Sequence, residues 1–158
     1  MGEQSLTASP LETDALADLV RARHACLTRL RDLGSEQIGL IEGGNITALL
    51  DVLSAKQRPL SDLRRIERAL DPFRGQDPES RRWSAPGKRA VCARLAAQCD
   101  ALLGEIVRQE RQCEAAMIRR RDETADRLQQ FRQAGQACGA YAAASRVKIN
   151  QLDLSSET

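Results

Sequence analysis

The sequence predicts an all-α protein, an antiparallel bundle of three long helices with a coiled-coil-like seam and a flexible C-terminal tail. Apolar residues recur at alternating spacings of three and four residues along most of the chain, which is the pattern of an amphipathic helix. The 158 residues are 42% hydrophobic but only 3% aromatic. That composition suits a thin helical seam built from leucine and alanine better than a thick globular core.

The first helix is predicted at about residues 10–43. Ser9 can cap it and Glu12 can return the hydrogen bond, as in a capping box. Gly43 and Gly44 favour a left-handed C-cap at its end. Its predicted stripe comprises Leu16, Leu19, Cys26, Leu30, Leu33 and Leu40, with Val20, Leu27 and Ile41 beside them. We expect residues 1–8 to be disordered.

Asn45 is a favourable cap for a second helix over about 45–71. The apolar pattern of this helix continues in phase across Pro59, so we expect the proline to kink the helix rather than break it. The predicted stripe is Ile46, Leu49, Leu53, Leu60, Leu63 and Leu70, with Leu50 and Ile66 beside it.

The connector over 72–87 is rich in proline and glycine. Asp77 can cap a short helical turn within it. Its two aromatic residues, Phe73 and Trp83, are expected to pack against the end of the bundle, because isolated aromatic side chains are usually buried at least in part.

The third helix is predicted at about 88–135, which completes a helical bundle over 9–135 and leaves 136–158 as a flexible partner-binding tail. Cys92, Cys99 and Cys113 are spaced by multiples of seven residues, together with Ile106. Leu95, Leu102 and Ala116 occupy the complementary position of the heptad. Cysteines two helical turns apart cannot share a zinc ion or a disulfide. We therefore interpret them as small packing residues of the seam.

The charge pattern excludes several classes of partner. The net charge is only +2, from 24 basic and 22 acidic residues, and no basic stripe is interleaved with aromatics, so no nucleic-acid binding is expected. No apolar run is long enough for membrane insertion, and the N-terminal stretch lacks the features of a secretory signal. We expect a cytoplasmic protein that is not an enzyme, with no catalytic residues, no cofactor and no metal site.

The stretch EGGNITALLDVLSAKQRPLSDLRRIE resembles the central block of FlgN-type flagellar export chaperones. The matching residues are Glu42, Gly43, Leu49, Leu50, Lys56 and Gln57. The long third helix and the isolated Tyr141 near the end of the chain are also similar to that family.

The resemblance implies a cytoplasmic chaperone of flagellar type III export. Such a protein binds hook–filament junction subunits through their C-terminal amphipathic helices, prevents premature aggregation and delivers them to a component of the export gate. The alternative is a structural or regulatory coiled-coil interaction protein without chaperone activity.

The partner-binding site is predicted where the seam loses its cover, because apolar residues thin out along the third helix and the first two helices are too short to cover it. The candidate residues are Leu128, Phe131, Tyr141, Val147, Ile149 and Leu152. The resemblance implies that Tyr141 contacts the export gate. Leu128 and Phe131 could instead belong to the bundle core, and the tail residues could be merely disordered.

Overall fold

A computed structural model describes the backbone of residues 13–154 and the side chains of residues 13–147. Its helices are α1 (Thr13–Gly43), α2 (Ile46–Arg74) and α3 (Lys88–Leu154), with a short 3₁₀ helix at Pro78–Ser80. The predicted all-α, three-helix fold is confirmed. The chain divides into two units, one that ends at Ala116 and one that begins at Met117. The predicted start of α1 at Ser9-Pro10 and the N-terminal segment 1–8 lie outside the described residues.

The helical bundle belongs to the first unit, and its core clusters give the direction of each helix. At one end, Leu16 of α1 packs with Leu70 of α2 and Cys92 of α3. At the other end, Ile41 of α1 packs with Leu49 of α2 and Cys113 of α3. The chain therefore runs up, down and up, so that α2 is antiparallel to both of its neighbours.

Each helix buries side chains at alternating spacings of three and four residues, as a packed helical seam requires. On α3 these residues are Cys92, Cys99, Leu102, Gln109, Cys113 and Ala116, which confirms the heptad predicted for the cysteines. On α1 they include Leu16, Val20, Leu27, Leu30, Gly34, Gln37 and Ile41. On α2 they are Leu49, Val52, Lys56, Pro59, Ile66 and Leu70.

The stripe predicted for α2 is wrong in part, because Ile46, Leu53 and Leu60 are exposed. Lys56 and Pro59 hold the buried positions instead, and α2 continues through Pro59 without a break. The lysine can occupy the seam because its ammonium finds polar partners there. The spacing of the apolar residues alone therefore predicted the buried face of α2 incorrectly in part.

The turn between α1 and α2 is a glycine cap followed directly by an asparagine cap. Gly44 has a φ of 71°, which favours glycine. The N–H of Gly44 donates to the carbonyl of Ile41, and the N–H of Asn45 donates to the carbonyl of Leu40, as in a Schellman motif. The Asn45 side chain then accepts from the N–H of Ala48 at 3.1 Å. The caps predicted at both glycine and asparagine are present, and α2 starts one residue later than predicted.

The connector starts later than predicted because α2 runs three residues beyond 71, to Arg74. The side chain of Asp77 accepts from the N–H of Glu79 and caps the short 3₁₀ helix, as predicted. Phe73 and Trp83 are half-buried against the core cluster that contains Leu70. They close that end of the bundle, which is also as predicted.

The predicted end of the third helix near residue 135 is wrong, because α3 continues to Leu154. Most of the segment predicted to be a flexible tail is therefore helical. Gly135 and Gly139 each disfavour a helix by about 1 kcal/mol relative to alanine. The flanking segment 137–144 contains five alanines, and no proline follows in the sequence to end the helix. Alanine is the strongest helix former, so the two glycines do not stop α3. Residues 155–158 lie outside the described part of the chain.

A polar side chain sets the close approach of α1 and α3. Gln109 on α3 is buried, and its Nε2 donates to the carbonyl of Arg31 at 3.1 Å and to the hydroxyl of Ser35 at 2.9 Å. The amide lies over Gly34, where an added Cβ would overlap the Gln109 Oε1. Gly34 therefore leaves space for the Gln109 amide. The contact between these two residues fixes the register of α1 against α3, which run parallel to each other.

Two charged groups tie α2 into the seam. The ammonium of Lys56 donates to Gln37 of α1 and to Glu110 of α3, each at 2.5 Å. Nearer the other end, the guanidinium of Arg23 on α1 donates to Glu67 of α2 at 2.5 Å. Burial opposes ionisation of Glu67, but hydrogen bonds from Arg23 and Arg74 outweigh it and lower the pKa of Glu67.

We expect the substitution Gly34→Ala to destabilise the protein by about 1–2 kcal/mol, because the Gln109 amide must move and lose its two hydrogen bonds. In a Gln109→Ala background the same substitution should stabilise it by up to about 1 kcal/mol, through the higher helix propensity of alanine. Urea unfolding of the four proteins measures both effects as a double-mutant cycle. Equal effects of Gly34→Ala in the two backgrounds would contradict the proposed contact.

The lowered pKa of Glu67 predicts a pH-dependent contribution to stability. The charged carboxylate stabilises the fold above its ordinary pKa of about 4.3, and this contribution is lost as the pH falls through the lowered pKa. Glu67→Gln should therefore lower the free energy of unfolding by about 1 kcal/mol at pH 7 and by less near pH 3, which lies below the ordinary pKa. Urea titrations at both pH values test this, with the exposed Glu36→Gln as the control. A Glu67→Gln effect that is the same at both pH values would refute it.

Candidate partner-binding site

The buried seam of α3 ends at Ala116, the last buried residue of the described side chains. If the same spacing continued, the next seam positions would be Arg120, Glu123, Arg127 and Gln130. All four are charged or polar, so the residues from Met117 onward cannot extend the same apolar seam.

A second seven-residue pattern begins one residue out of step with the first. Leu128 and Phe131 start it, and small residues continue it through four further described positions. We call this set the exposed stripe: Leu128, Phe131, Gly135, Cys138, Ala142 and Ser145. Every member is exposed, and Phe131 is 78% accessible. In the second unit the chain therefore presents a heptad pattern of two large apolar side chains followed by small residues, which no described side chain covers.

Five of the six predicted site residues follow or adjoin this stripe. Leu128 and Phe131 belong to it. Ile149 and Leu152 continue its spacing in the sequence, although their side chains lie outside those that the structure describes. Tyr141 is 79% accessible and lies at the edge, about 80° around the helix from the centre of the stripe.

Val147 is the predicted site residue that the helix places elsewhere. At about 100° per residue it lies on the side of α3 opposite the stripe. It is exposed, like the stripe residues. One partner helix seated on the stripe would therefore leave Val147 uncovered.

The flanks of the exposed stripe are basic. Arg127 and Arg132 border its first two members, and Arg146 follows Ser145. The ion pairs described in the second unit join Arg120 to Glu123 and Arg121 to Asp122. Among the side chains of residues 13–147, the three flanking arginines take part in no ion pair, so their charges are available to a partner.

A second apolar surface lies on α2, where sequence reasoning placed core residues. Ile46 and Leu50 are well exposed, and Leu53 and Leu60 are about 40% exposed. This surface could have been found by continuing the three/four spacing from Leu49 through Lys56 and Pro59. That register leaves the four residues on the outer side of α2.

The cysteines of the seam are not placed for chemistry. Cys92, Cys99 and Cys113 are buried with free thiols. Burial raises the pKa of each of these thiols, which lowers the fraction of reactive thiolate. Their interpretation as packing residues is confirmed. Cys138, by contrast, is exposed on the stripe.

Within residues 13–147, no group of three or more histidine, cysteine or carboxylate side chains is placed to hold a metal ion. None of the described helices is long and apolar enough to cross a membrane.

Comparisons with family models, curated proteins and solved structures find no match to this chain. The resemblance to FlgN-type chaperones therefore stays a prediction.

Thiol labelling of the native protein should separate the cysteines by burial. We expect Cys138 to react quickly with a water-soluble thiol-labelling reagent. The three buried thiols should react at least about 100-fold more slowly, because the seam must open before the reagent can reach them. Cys138→Ser should remove the fast phase, and urea should expose the slow thiols. Fast labelling of Cys92 or Cys99 in the folded protein would show that the seam is open there.

Proposed function

We propose that this protein is a cytoplasmic, non-enzymatic chaperone of flagellar type III export. It binds hook–filament junction subunits through their C-terminal amphipathic helices, keeps them from aggregating and delivers them to the export gate. The observation that carries the proposal is the exposed stripe on α3, with Phe131 at 78% accessibility.

The stripe has the chemistry of a helix-binding surface. An amphipathic helix is recognised by contacts repeated every three or four residues, and the stripe offers two large apolar side chains followed by small residues at that spacing. Large apolar side chains in water favour a partner that covers them. A client segment that is unfolded or aggregation-prone by itself could form a helix on this surface. Its apolar face would then be buried against the stripe.

The two units have different roles in the proposed function. The bundle up to Ala116 is a packed scaffold in which the apolar seam is already filled. The helix from Met117 onward supplies the contact surface, including Tyr141, which the resemblance assigns to the export gate. Tyr141 lies at the edge of the stripe rather than on it, beside the surface that a client would cover.

The rival proposal is a coiled-coil protein that oligomerises through α3. The same exposed heptad pattern supports it, since a second copy could cover the stripe. Light scattering of the purified protein separates the two: the chaperone should be monomeric without client, whereas the rival should be an oligomer at micromolar concentration.

The chaperone proposal predicts a complex with the C-terminal segment of a hook–filament junction subunit. Phe131→Ala should weaken that complex about 30-fold, as expected for a central aromatic contact, and leave helicity unchanged. Titration calorimetry measures the affinity, and circular dichroism checks the fold.

Val147→Ala is the matched control, because it removes an exposed apolar side chain from the opposite side of the same helix. It should change the affinity by less than about threefold. Failure of every junction segment to bind the unmodified protein would refute the proposed function. Equal losses for both variants would show that the stripe is not the contact surface.

A further inference from the structure

The residues that border the exposed stripe decide what kind of helix can cover it. In a pair of packed helices, the positions next to the apolar seam face their counterparts on the partner and select it by charge. For the stripe these described positions are Arg127, Arg132, Ala134, Gly139, Tyr141 and Arg146. None of them is acidic.

The same positions disfavour a second copy of this chain. In a parallel pair, Arg127 of one copy would face Arg132 of the other, which places like charges side by side. Arginine is always charged, so this repulsion cannot be relieved by loss of a proton.

The centre of the stripe disfavours a second copy for a separate reason. Gly135, Cys138, Ala142 and Ser145 are all small. Two copies would set small residues against small residues and leave a poorly filled seam, whereas a partner with leucine-sized side chains would fill the same space.

From this geometry we infer that the exposed stripe binds an acidic amphipathic helix, in which carboxylates flank a face of large apolar residues. This rests on the proposed function and specifies the chemistry of its client. The carboxylates pair with Arg127, Arg132 and Arg146, which have no ion-pair partner among the described side chains.

Some arginines of the bundle, by contrast, already have carboxylate partners. Arg23 and Arg74 are both paired with Glu67, and Arg89 is paired with Glu79. Those pairs join parts of the first unit to one another. Three unpaired arginines beside one apolar stripe supply the charge complementarity that an acidic helix requires.

The test uses the full-length protein and two synthetic peptides of about four heptads each. Both peptides carry leucine at the seam positions; one carries glutamate and the other lysine at every flanking position. Like charges keep each peptide from pairing with itself. Fluorescence anisotropy should show about tenfold or more tighter binding of the glutamate peptide at low salt, and the difference should shrink at high salt.

Charge reversal on the protein locates the effect. Arg132→Glu combined with Arg146→Glu should reverse the preference, so that the lysine peptide binds more tightly. Arg58→Glu combined with Arg68→Glu changes the net charge equally, on exposed positions of α2, and should leave the preference intact.

The outcomes separate this inference from the proposed function. Equal binding of the two peptides, or binding of neither, overturns the inference even if junction segments bind. A glutamate preference that the Arg132/Arg146 variant reverses supports the inference even if no junction segment binds, in which case the proposed client is wrong. Self-association that Phe131→Ala abolishes would make a second copy the occupant and overturn it as well.

Discussion

The alternating three/four spacing of buried side chains is the constraint on which the rest of this protein depends. It holds α1, α2 and α3 in one seam up to Ala116 and requires each helix to keep the same face inward. A helical seam buries little apolar area per residue, so it tolerates small side chains such as the three cysteines. Because the spacing loses its apolar residues after Ala116, the remaining part of α3 cannot be buried by the same rule. The structural and the proposed functional parts of the chain are thus separated by a change of pattern within one helix.

Polar residues give the seam its register. An apolar seam alone would tolerate a shift of the helices by one heptad, since leucine packs equally well against many leucines. The Gln109 amide fits only where Gly34 leaves space, and the Lys56 ammonium is satisfied only beside Gln37 and Glu110. A shifted register would leave these buried groups without partners, which costs more than their bonds contribute in place. We regard the two polar layers as the features that select one arrangement of the three helices.

The exposed stripe differs from the seam, because its residues do not suit packing against a second copy of this chain. Its apolar positions are regular enough to pack, but its small centre and arginine flanks do not suit a copy of itself. Regular spacing makes the surface able to accept a helix, and the flanking charges narrow which helix that is. Stability of the bundle and choice of partner are therefore carried by different residues, so that either can be altered while the other is kept.

The sequence by itself determined the helical class, the turn at Gly43-Gly44, the cap at Asn45 and the heptad of Cys92, Cys99 and Cys113. Each of these follows from local spacing or from the chemistry of a single residue. Only the tertiary structure shows why Lys56 can lie on the buried face of α2, because its partners are on two other helices. It also decided that Gly34 is needed for Gln109, a contact between residues far apart in the chain. Isolated glycines near residue 135 predict an earlier end of α3 than Leu154, but the surrounding alanines favour the helix. Hydrophobicity predicted five of the six site residues, and the resemblance added Tyr141. The direction of each residue around α3 separates Val147 from the others, because that direction, and not hydrophobicity, sets which residues one partner can touch.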